Sequence, residues 1–117
     1  MEIEEVKAGD ILLIGLKGRL DSNTSGSLEQ KLLALIEGGQ KQFIIDFCNL
    51  EYISSAGLRV LLLAAKRSKA AKGKIVLSSL KTHIKEVFDL AGFSPIFPIC
   101  QTREEALSTF NNGLTSN

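Results

Sequence analysis

Short apolar runs alternate with amphipathic helical patterns along most of the chain, and this alternation constrains the fold more than any other feature. Buried-strand patterns at 11–18 (ILLIGLKG), 43–47 (FIIDF) and 74–77 (KIVL) are each followed by apolar residues at helical spacing. Helices that join strands of this kind form right-handed crossovers between parallel strands. The pattern therefore predicts a single α/β domain with a mixed, mostly parallel sheet.

Two further segments extend that pattern as edge strands. Residues 2–7 alternate weakly, and the turn sequence at 8–10 (AGD) joins them to the next strand as a hairpin. Residues 96–100 (IFPIC) are predicted as the opposite edge strand, where Pro98 is tolerated. The predicted order is ββαβαβαβα, with about five strands and about four helices.

The helix boundaries are marked by residues that favour helix ends. The first helix is predicted to stop at the glycine pair 38–39, and the second to span about 55–71. Ser78 or Ser79 is expected to cap the third helix. Residues 102–105 (TREE) match the capping box that begins a last helix.

The length of the chain suits one compact domain. It has 117 residues and contains no internal repeat or linker. The last helical pattern ends at Phe110, so the domain is assigned to residues 1–112. Residues 113–117 are expected to form a disordered C-terminal tail.

Composition argues against several classes of function. A net charge of +1 gives no basic footprint for direct nucleic-acid binding. The longest apolar run, at 60–65, is too short for membrane insertion, and the acidic N-terminus lacks a signal peptide. Cys48 and Cys100 lack metal or redox spacing, so they are expected to be small buried residues in a reducing compartment. We therefore expect a cytoplasmic protein without a metal or cofactor.

Two adjacent hydroxyls stand where the second helix is predicted to begin. Ser54 and Ser55 lie in the stretch ISSAGL, directly before the apolar helical pattern. One interpretation is structural: the serines cap the helix, and Ser55 bonds a nearby backbone N–H. The other is that one of them is a chemical switch. For an arbitrary Ser-Ser pair at a helix start, capping is the stronger interpretation.

The sequence lacks the motifs of the enzymes that such a serine would suggest. A hydrolase elbow needs Gly-x-Ser-x-Gly, but Tyr52 and Ile53 precede the serine pair. His83 is the only histidine that could serve as a base, and it is predicted to be a surface residue. Glycine-rich phosphate loops are absent too. We therefore expect a protein that is not an enzyme.

Three ordered segments together resemble a known family. They are GRLDSNTSGSLEQKL, FIIDFCNLEYISSAGLRVLLLAAK and LSSLKTHIKEVFDLAGF. This arrangement resembles the anti-sigma-factor antagonists, whose fold is the STAS domain, and the resemblance covers essentially the whole chain. The most diagnostic part is Asp46, then Asn49-Leu50, then the loop ISSAGL running into a helix.

The resemblance implies a phosphorylation switch. In that family a partner that is both an anti-sigma factor and a serine kinase phosphorylates a serine in this loop. The dephosphorylated antagonist binds the partner and frees the sigma factor, and a serine phosphatase resets the cycle. The usual motif is Asp-Ser-Ser-Gly or Asp-Ser-Ala-Gly. Here Ser54 occupies the Asp slot, Ser55 the first Ser slot, Ala56 the second and Gly57 the Gly slot. Ser55 is the implied phosphorylation site, and Ser54 is the alternative.

The resemblance also implies a partner-binding surface. Its members are Asp21, Asn23, Thr24, Ser54, Ser55, Ala56, Gly57 and Arg59. Arg59 stands where the family often has glycine, and Gly57 is expected to let a partner approach closely because it has no Cβ. From the residues alone, Asp21, Asn23 and Thr24 would instead cap the first helix. These two interpretations of the three residues carry equal weight.

Two carboxylates are expected to affect a phosphorylated serine in this loop. A phosphoserine carries about −1.5 to −2 charges, which Asp21 and Asp46 would oppose if they lie close, as the family fold implies. On its own, Asp46 is predicted to be a turn or loop anchor rather than a catalytic group. The cationic residues at 66–74 are predicted to be a solvated helix end, with attraction of phosphate or an acidic membrane as the alternative.

The alternative function is a STAS scaffold or accessory subunit of a signalling complex or transporter.

Overall fold

A computed structural model describes residues 1–115 of the chain, and the side chains of residues 1–110. Its nine elements are β1 (Glu2–Ala8), β2 (Ile11–Leu20), α1 (Ser25–Glu37), β3 (Gln42–Ile53), α2 (Ser55–Ala70), β4 (Lys74–Ser78), α3 (Thr82–Leu90), β5 (Ile99–Cys100) and α4 (Arg103–Thr115). The five strands form one sheet in the order β1-β2-β3-β4-β5. β1 runs antiparallel to β2, and the other neighbours are parallel. The predicted α/β fold and the order ββαβαβαβα are confirmed.

The sheet is covered on both faces. Side chains alternate between the faces of a strand, so each central strand contributes to two apolar layers. The larger layer joins the sheet to α1, α2 and α3, and it includes the fully buried Leu32, Leu61 and Phe88. The smaller layer joins the sheet to α4 through residues such as Val76 and Ala106.

An ion pair between the buried Asp46 and the half-buried Arg103 attaches α4 to the middle of the sheet. Asp46 is 6% exposed, and its Oδ2 lies 2.7 Å from Nη2 of Arg103. The other carboxylate oxygen, Oδ1, accepts hydrogen bonds from the Cys48 N–H at 3.1 Å and the Ser78 hydroxyl at 3.4 Å. These three donors satisfy the carboxylate. Asp46 is therefore an anchor, but it lies within β3 and holds a helix, whereas the prediction was a turn or loop anchor.

Several element boundaries differ from the sequence prediction. β3 continues to Ile53 rather than ending near residue 47, because its second half pairs with β2. β5 contains only Ile99 and Cys100, so the residues predicted as strand from 96 to 98 are not part of it. α4 continues past Phe110, and residues 116 and 117 of the expected tail lie outside the described residues.

Two predictions about individual side chains are wrong. Neither Ser78 nor Ser79 caps α3, which begins after Lys81 without a side-chain cap. Ser78 is instead the buried end of β4, and the Ser79 N–H donates to the Cys100 carbonyl. Cys100 is buried as expected, whereas Cys48 is exposed because its position in β3 faces solvent.

We expect Arg103→Ala to lower the free energy of unfolding by about 1–3 kcal/mol, because it leaves the buried Asp46 carboxylate without its charged partner. Urea unfolding would measure this loss. Glu104→Ala is the matched control, since Glu104 is an exposed neighbour on the same helix. Equal losses for the two variants would show that the ion pair does not attach α4 to the sheet.

Candidate functional site

The ends of β2 and β3 bring two polar loops together. Leu20 lies beside Ile53 in the parallel register, and the Ser54 N–H donates to the Leu20 carbonyl at 2.9 Å. The Asp21 loop follows one strand and the serine loop follows the other. Because both strands end at the same edge of the sheet, the two loops lie side by side.

The two adjacent serines have different structural positions. Ser54 is the N-cap of α2, with extended backbone angles, and its Oγ accepts a hydrogen bond from the Gly57 N–H at 3.3 Å. Ser55 is the first residue of the helix and is exposed. Its hydroxyl makes no hydrogen bond to any side chain or backbone group within residues 1–110. The interpretation that Ser55 caps the helix is therefore wrong, and the capping role belongs to Ser54.

Gly57 allows the first turn of α2 to pack on the ends of the strands. It is buried, and a Cβ at this position would lie 2.7 Å from Cγ of Leu20 and 3.0 Å from Cγ1 of Ile53. The missing side chain thus leaves room for the protein's own core. The expectation that it makes room for a partner is wrong.

The Asp21 loop is stabilised by its own hydrogen bonds. Oδ1 of Asp21 accepts from the backbone N–H groups of Asn23 and Thr24 at 3.0 and 3.2 Å. The Thr24 hydroxyl donates to the Arg19 carbonyl and accepts from the Asp21 N–H, both at 2.9 Å. Although Thr24 is the N-cap of α1, it makes no side-chain cap bond to that helix. The loop is therefore held in shape beside the serines, and it does not cap α1 through its side chains.

Asp21 places a negative charge beside the serine loop. Partial burial raises the pKa of its carboxyl, but the hydrogen bonds from Asn23 and Thr24 lower it more. The Arg19 guanidinium, whose Nε lies 3.8 Å from Oδ2, lowers the pKa further. The net shift is below the ordinary value, so Asp21 is ionised at neutral pH.

Asp46 does not belong to this site. It lies on the same strand as Ile53, seven residues earlier, and a strand rises about 3.3 Å per residue. The separation along β3 is therefore roughly 20 Å, about twice the Debye length at physiological salt. Asp46 is also neutralised by Arg103. The expectation that its charge acts on the serine loop is wrong.

An aromatic–cation pair borders the loops and was not predicted from the sequence. Arg19 and Tyr52 are partners in the β2–β3 register, and the guanidinium carbon lies 4.2 Å from the centroid of the ring. Tyr52 is 39% exposed. The sequence would predict this pair only if the register of β2 and β3 were known. Arg19 and Tyr52 each stand one position before the paired Leu20 and Ile53.

Arg59 lies one helical turn after Ser55 on α2. Residues at this spacing are neighbours on the helix surface. Arg59 is exposed, and it forms no ion pair with any side chain of residues 1–110. Its guanidinium is therefore available to a group bound at the start of α2.

His83 is the single candidate base that the sequence offers for hydrolysis. It is exposed as predicted, and its Nε2 lies 2.8 Å from the Glu51 carbonyl oxygen. Within residues 1–110, no group of three or more His, Cys, Asp or Glu side chains could hold a metal ion. No helix within that range is long and apolar enough to cross a membrane. The site therefore combines an exposed serine in the first turn of α2, an ionised carboxylate in the adjoining loop and an arginine one turn further along the helix.

We predict that Ser54→Ala lowers the free energy of unfolding by about 0.5–2 kcal/mol, the usual effect of losing an N-cap. Ser55→Ala should change it by less than about 0.5 kcal/mol, because the exposed hydroxyl has no bond to lose. Denaturant unfolding of both variants and the wild type measures the difference. A larger loss for Ser55→Ala than for Ser54→Ala would contradict the assigned positions.

Comparison with known proteins gives one family. Residues 2–106 match the family model of the STAS domain. BtrV of Bordetella bronchiseptica, named as a candidate anti-sigma factor antagonist, is 40% identical over 114 residues, which are 97% of this chain and 98% of that protein.

Solved structures agree on the fold. A candidate anti-sigma factor antagonist from Thermotoga maritima superposes with a TM-score of 0.88 at 18% identity, covering 92% of each chain. The Bacillus cell fate determinant SpoIIAA in its phosphorylated form gives 0.76 at 22% identity, covering 93% of this chain and 99% of that one. The family model spans nearly the whole chain, and the match to the Bordetella relative covers nearly the full length of both proteins. This chain therefore belongs to the STAS domain family.

Proposed function

We propose that this STAS domain is an anti-sigma-factor antagonist, a non-enzymatic switch gated by phosphorylation of Ser55. In its dephosphorylated form it binds an anti-sigma factor that is also a serine kinase, and it thereby releases a sigma factor in the cytoplasm. Phosphorylation of Ser55 ends that binding, and a separate serine phosphatase restores it. The names of the Bordetella relative and of a Paenibacillus polymyxa relative, an anti-sigma F factor antagonist, support this assignment.

The observation that carries the proposal is the division of roles between the serines. Ser54 holds the helix start through its hydroxyl, whereas the exposed Ser55 hydroxyl has no bond within residues 1–110. A kinase can therefore modify Ser55 without breaking a hydrogen bond of the fold. Phosphorylation of Ser54 would first require its hydroxyl to leave the Gly57 N–H, which makes it the less favourable acceptor.

The charges around Ser55 suit a modification that changes the surface and leaves the fold intact. A phosphate of about −1.5 to −2 charges at the first turn of α2 is stabilised by free N–H groups and by the helix dipole. Asp21 repels it, and Arg59 attracts it from one turn away. The phosphate thus adds negative charge to the surface that a partner meets.

The proposed binding surface is centred on the two loops. Exposed side chains lie on the outside, and half-buried ones lie between them. The members are Asp21, Asn23, Thr24, Ser54, Ser55, Ala56 and Arg59, with Gly57 beneath them as the packing position that sets the height of the helix. The Arg19–Tyr52 pair borders this surface, and aromatic and arginine side chains are the commonest anchors of protein interfaces.

Ser55→Ala should abolish phosphorylation and give a protein that binds the partner constitutively. Ser55→Asp should bind the partner at least roughly tenfold more weakly, because it brings a charge to a contact shaped for a neutral hydroxyl and close to Asp21. Isothermal titration calorimetry with the candidate kinase, without ATP, measures both affinities.

Ser54→Asp is the matched control for the added charge, since an aspartate retains N-cap ability. The expected order of affinity is Ser55→Ala equal to wild type, then Ser54→Asp, then Ser55→Asp. Wild-type affinity in Ser55→Asp would contradict the phosphorylation gate. In that case the STAS scaffold becomes the better assignment.

Arg59→Glu should weaken binding to the same partner by roughly tenfold, because it removes the donors and reverses the charge beside Ser55. Arg67→Glu is the control, since Arg67 is an exposed arginine on the same helix, two turns further from the loops. An Arg59→Glu protein that folds normally and binds like the Arg67→Glu protein would show that the surface is misplaced.

A further inference from the structure

A groove of about 470 Å³ lies beside the second half of α2, away from the serine loop. Its walls are the helix, the start of β4 and the segment 95–98. Most of its lining is apolar, from Leu62, Ala65, Ile75, Ile96, Phe97 and Pro98. The volume falls in the range of small-molecule sites, about 300–1,000 Å³.

The backbone of Ile75 in β4 lacks a strand partner on the side that faces this groove. Successive N–H groups along a strand point to opposite neighbours. In β4, the Lys74 N–H donates to the carbonyl of Lys41, just before β3, and the Leu77 N–H donates to the carbonyl of Pro98 on the other side. The Ile75 N–H therefore points the same way as that of Leu77, toward the groove. It has no backbone acceptor there among the described residues.

Pro98 leaves the Ile75 carbonyl without a hydrogen-bond donor. In a parallel ladder the residue that accepts from Leu77 would donate its own N–H to the Ile75 carbonyl. Proline has no N–H, so this bond is not formed. Ile75 is only 5% exposed, and both of its backbone polar groups are thus buried without a strand partner.

A second buried polar group lies in the same groove. Ser68 on α2 is 2% exposed, and its Oγ has no hydrogen-bond partner within residues 1–110. Unpaired buried polar groups are rare because they lose their hydration without compensation. The Ser68 hydroxyl lies against Gly73, so the Ile75 N–H is the unpaired donor that a bound ligand would satisfy.

The rim of the groove adds positive charge. Lys66 and Lys69 line it, both are exposed, and neither pairs with a carboxylate of residues 1–110. Lys74 turns away, since its Nζ lies 5.4 Å from the Phe110 ring centroid. The two ammonium groups and the Ile75 N–H outnumber the unpaired Ile75 carbonyl, and this balance of donors over acceptor favours an anionic ligand.

We propose that this groove binds a carboxylate carried on an apolar chain. The chain lies against the apolar walls, and the carboxylate accepts from the Ile75 N–H and from the ammonium groups of Lys66 and Lys69. This site does not depend on Ser55 phosphorylation, and it lies on the same helix whose first turn carries the serines.

Titration of the full-length ¹⁵N-labelled protein with decanoate, below its micelle concentration, tests the proposal. The amide resonance of Ile75 should shift saturably, together with those of the groove residues, and follow a single-site isotherm. Decyltrimethylammonium, which has the same apolar chain and the opposite charge, should bind at least roughly tenfold more weakly. Shifts spread over the whole protein, or no saturable shift, would overturn the proposal.

Charge reversal on the rim provides the second test. The double variant Lys66→Glu/Lys69→Glu should weaken decanoate binding by roughly tenfold or more. Lys72→Glu is the control, because Lys72 is an exposed lysine near the end of α2 that does not line the groove. The double variant and the Lys72→Glu control should have the same midpoint of denaturant unfolding. Unchanged decanoate affinity in the double variant would exclude the proposed site.

Discussion

The hydrogen bond from the Ser54 N–H to the Leu20 carbonyl joins the ends of two neighbouring parallel strands, and the candidate site depends on this junction. Leu20 is fully buried, so the junction is anchored in the core. Gly57 permits the first turn of α2 to pack directly on it. As a result, a loop that carries an ionised carboxylate and a helix start that carries an exposed serine are held next to each other by the buried ends of β2 and β3.

This junction gives two adjacent residues different structural positions. Ser54 has the extended backbone that an N-cap requires, and its hydroxyl is used by the fold. Ser55 is already in the helix and is exposed, which is why we propose it as the residue that is phosphorylated. Asp46 lies away from this junction and instead holds α4 on the opposite face of the sheet.

Much of the fold could be predicted because the alternation of strands and helices is strong. The central strands and α2 follow directly from apolar runs and spacing, whereas β5 is shorter than predicted because Pro98 cannot continue a ladder. The start of α3 was misplaced because the Ser78 hydroxyl is used by Asp46, a contact between residues 32 positions apart. Contacts of that kind are not visible in a local pattern.

The adjacency of the Asp21 loop and the serine pair could be predicted, but the roles of the two serines in the fold could not. The sequence and the family resemblance both indicated the two loops and the serine pair. Which serine caps the helix depends on where the backbone first turns helical, and a shift of one residue exchanges the two roles. The Arg19–Tyr52 pair and the inward-facing Gly57 depend on the register between β2 and β3, which no local motif specifies.

The most direct test of this account is mass-spectrometric mapping of the phosphate after reaction of the protein with its kinase and ATP. The account predicts one phosphate, on Ser55, with Ser54 unmodified. It also predicts that Ser54→Ala is still phosphorylated at Ser55, because the acceptor hydroxyl does not depend on the cap. Phosphate on Ser54 with Ser55 unmodified would contradict the division of roles between the two serines.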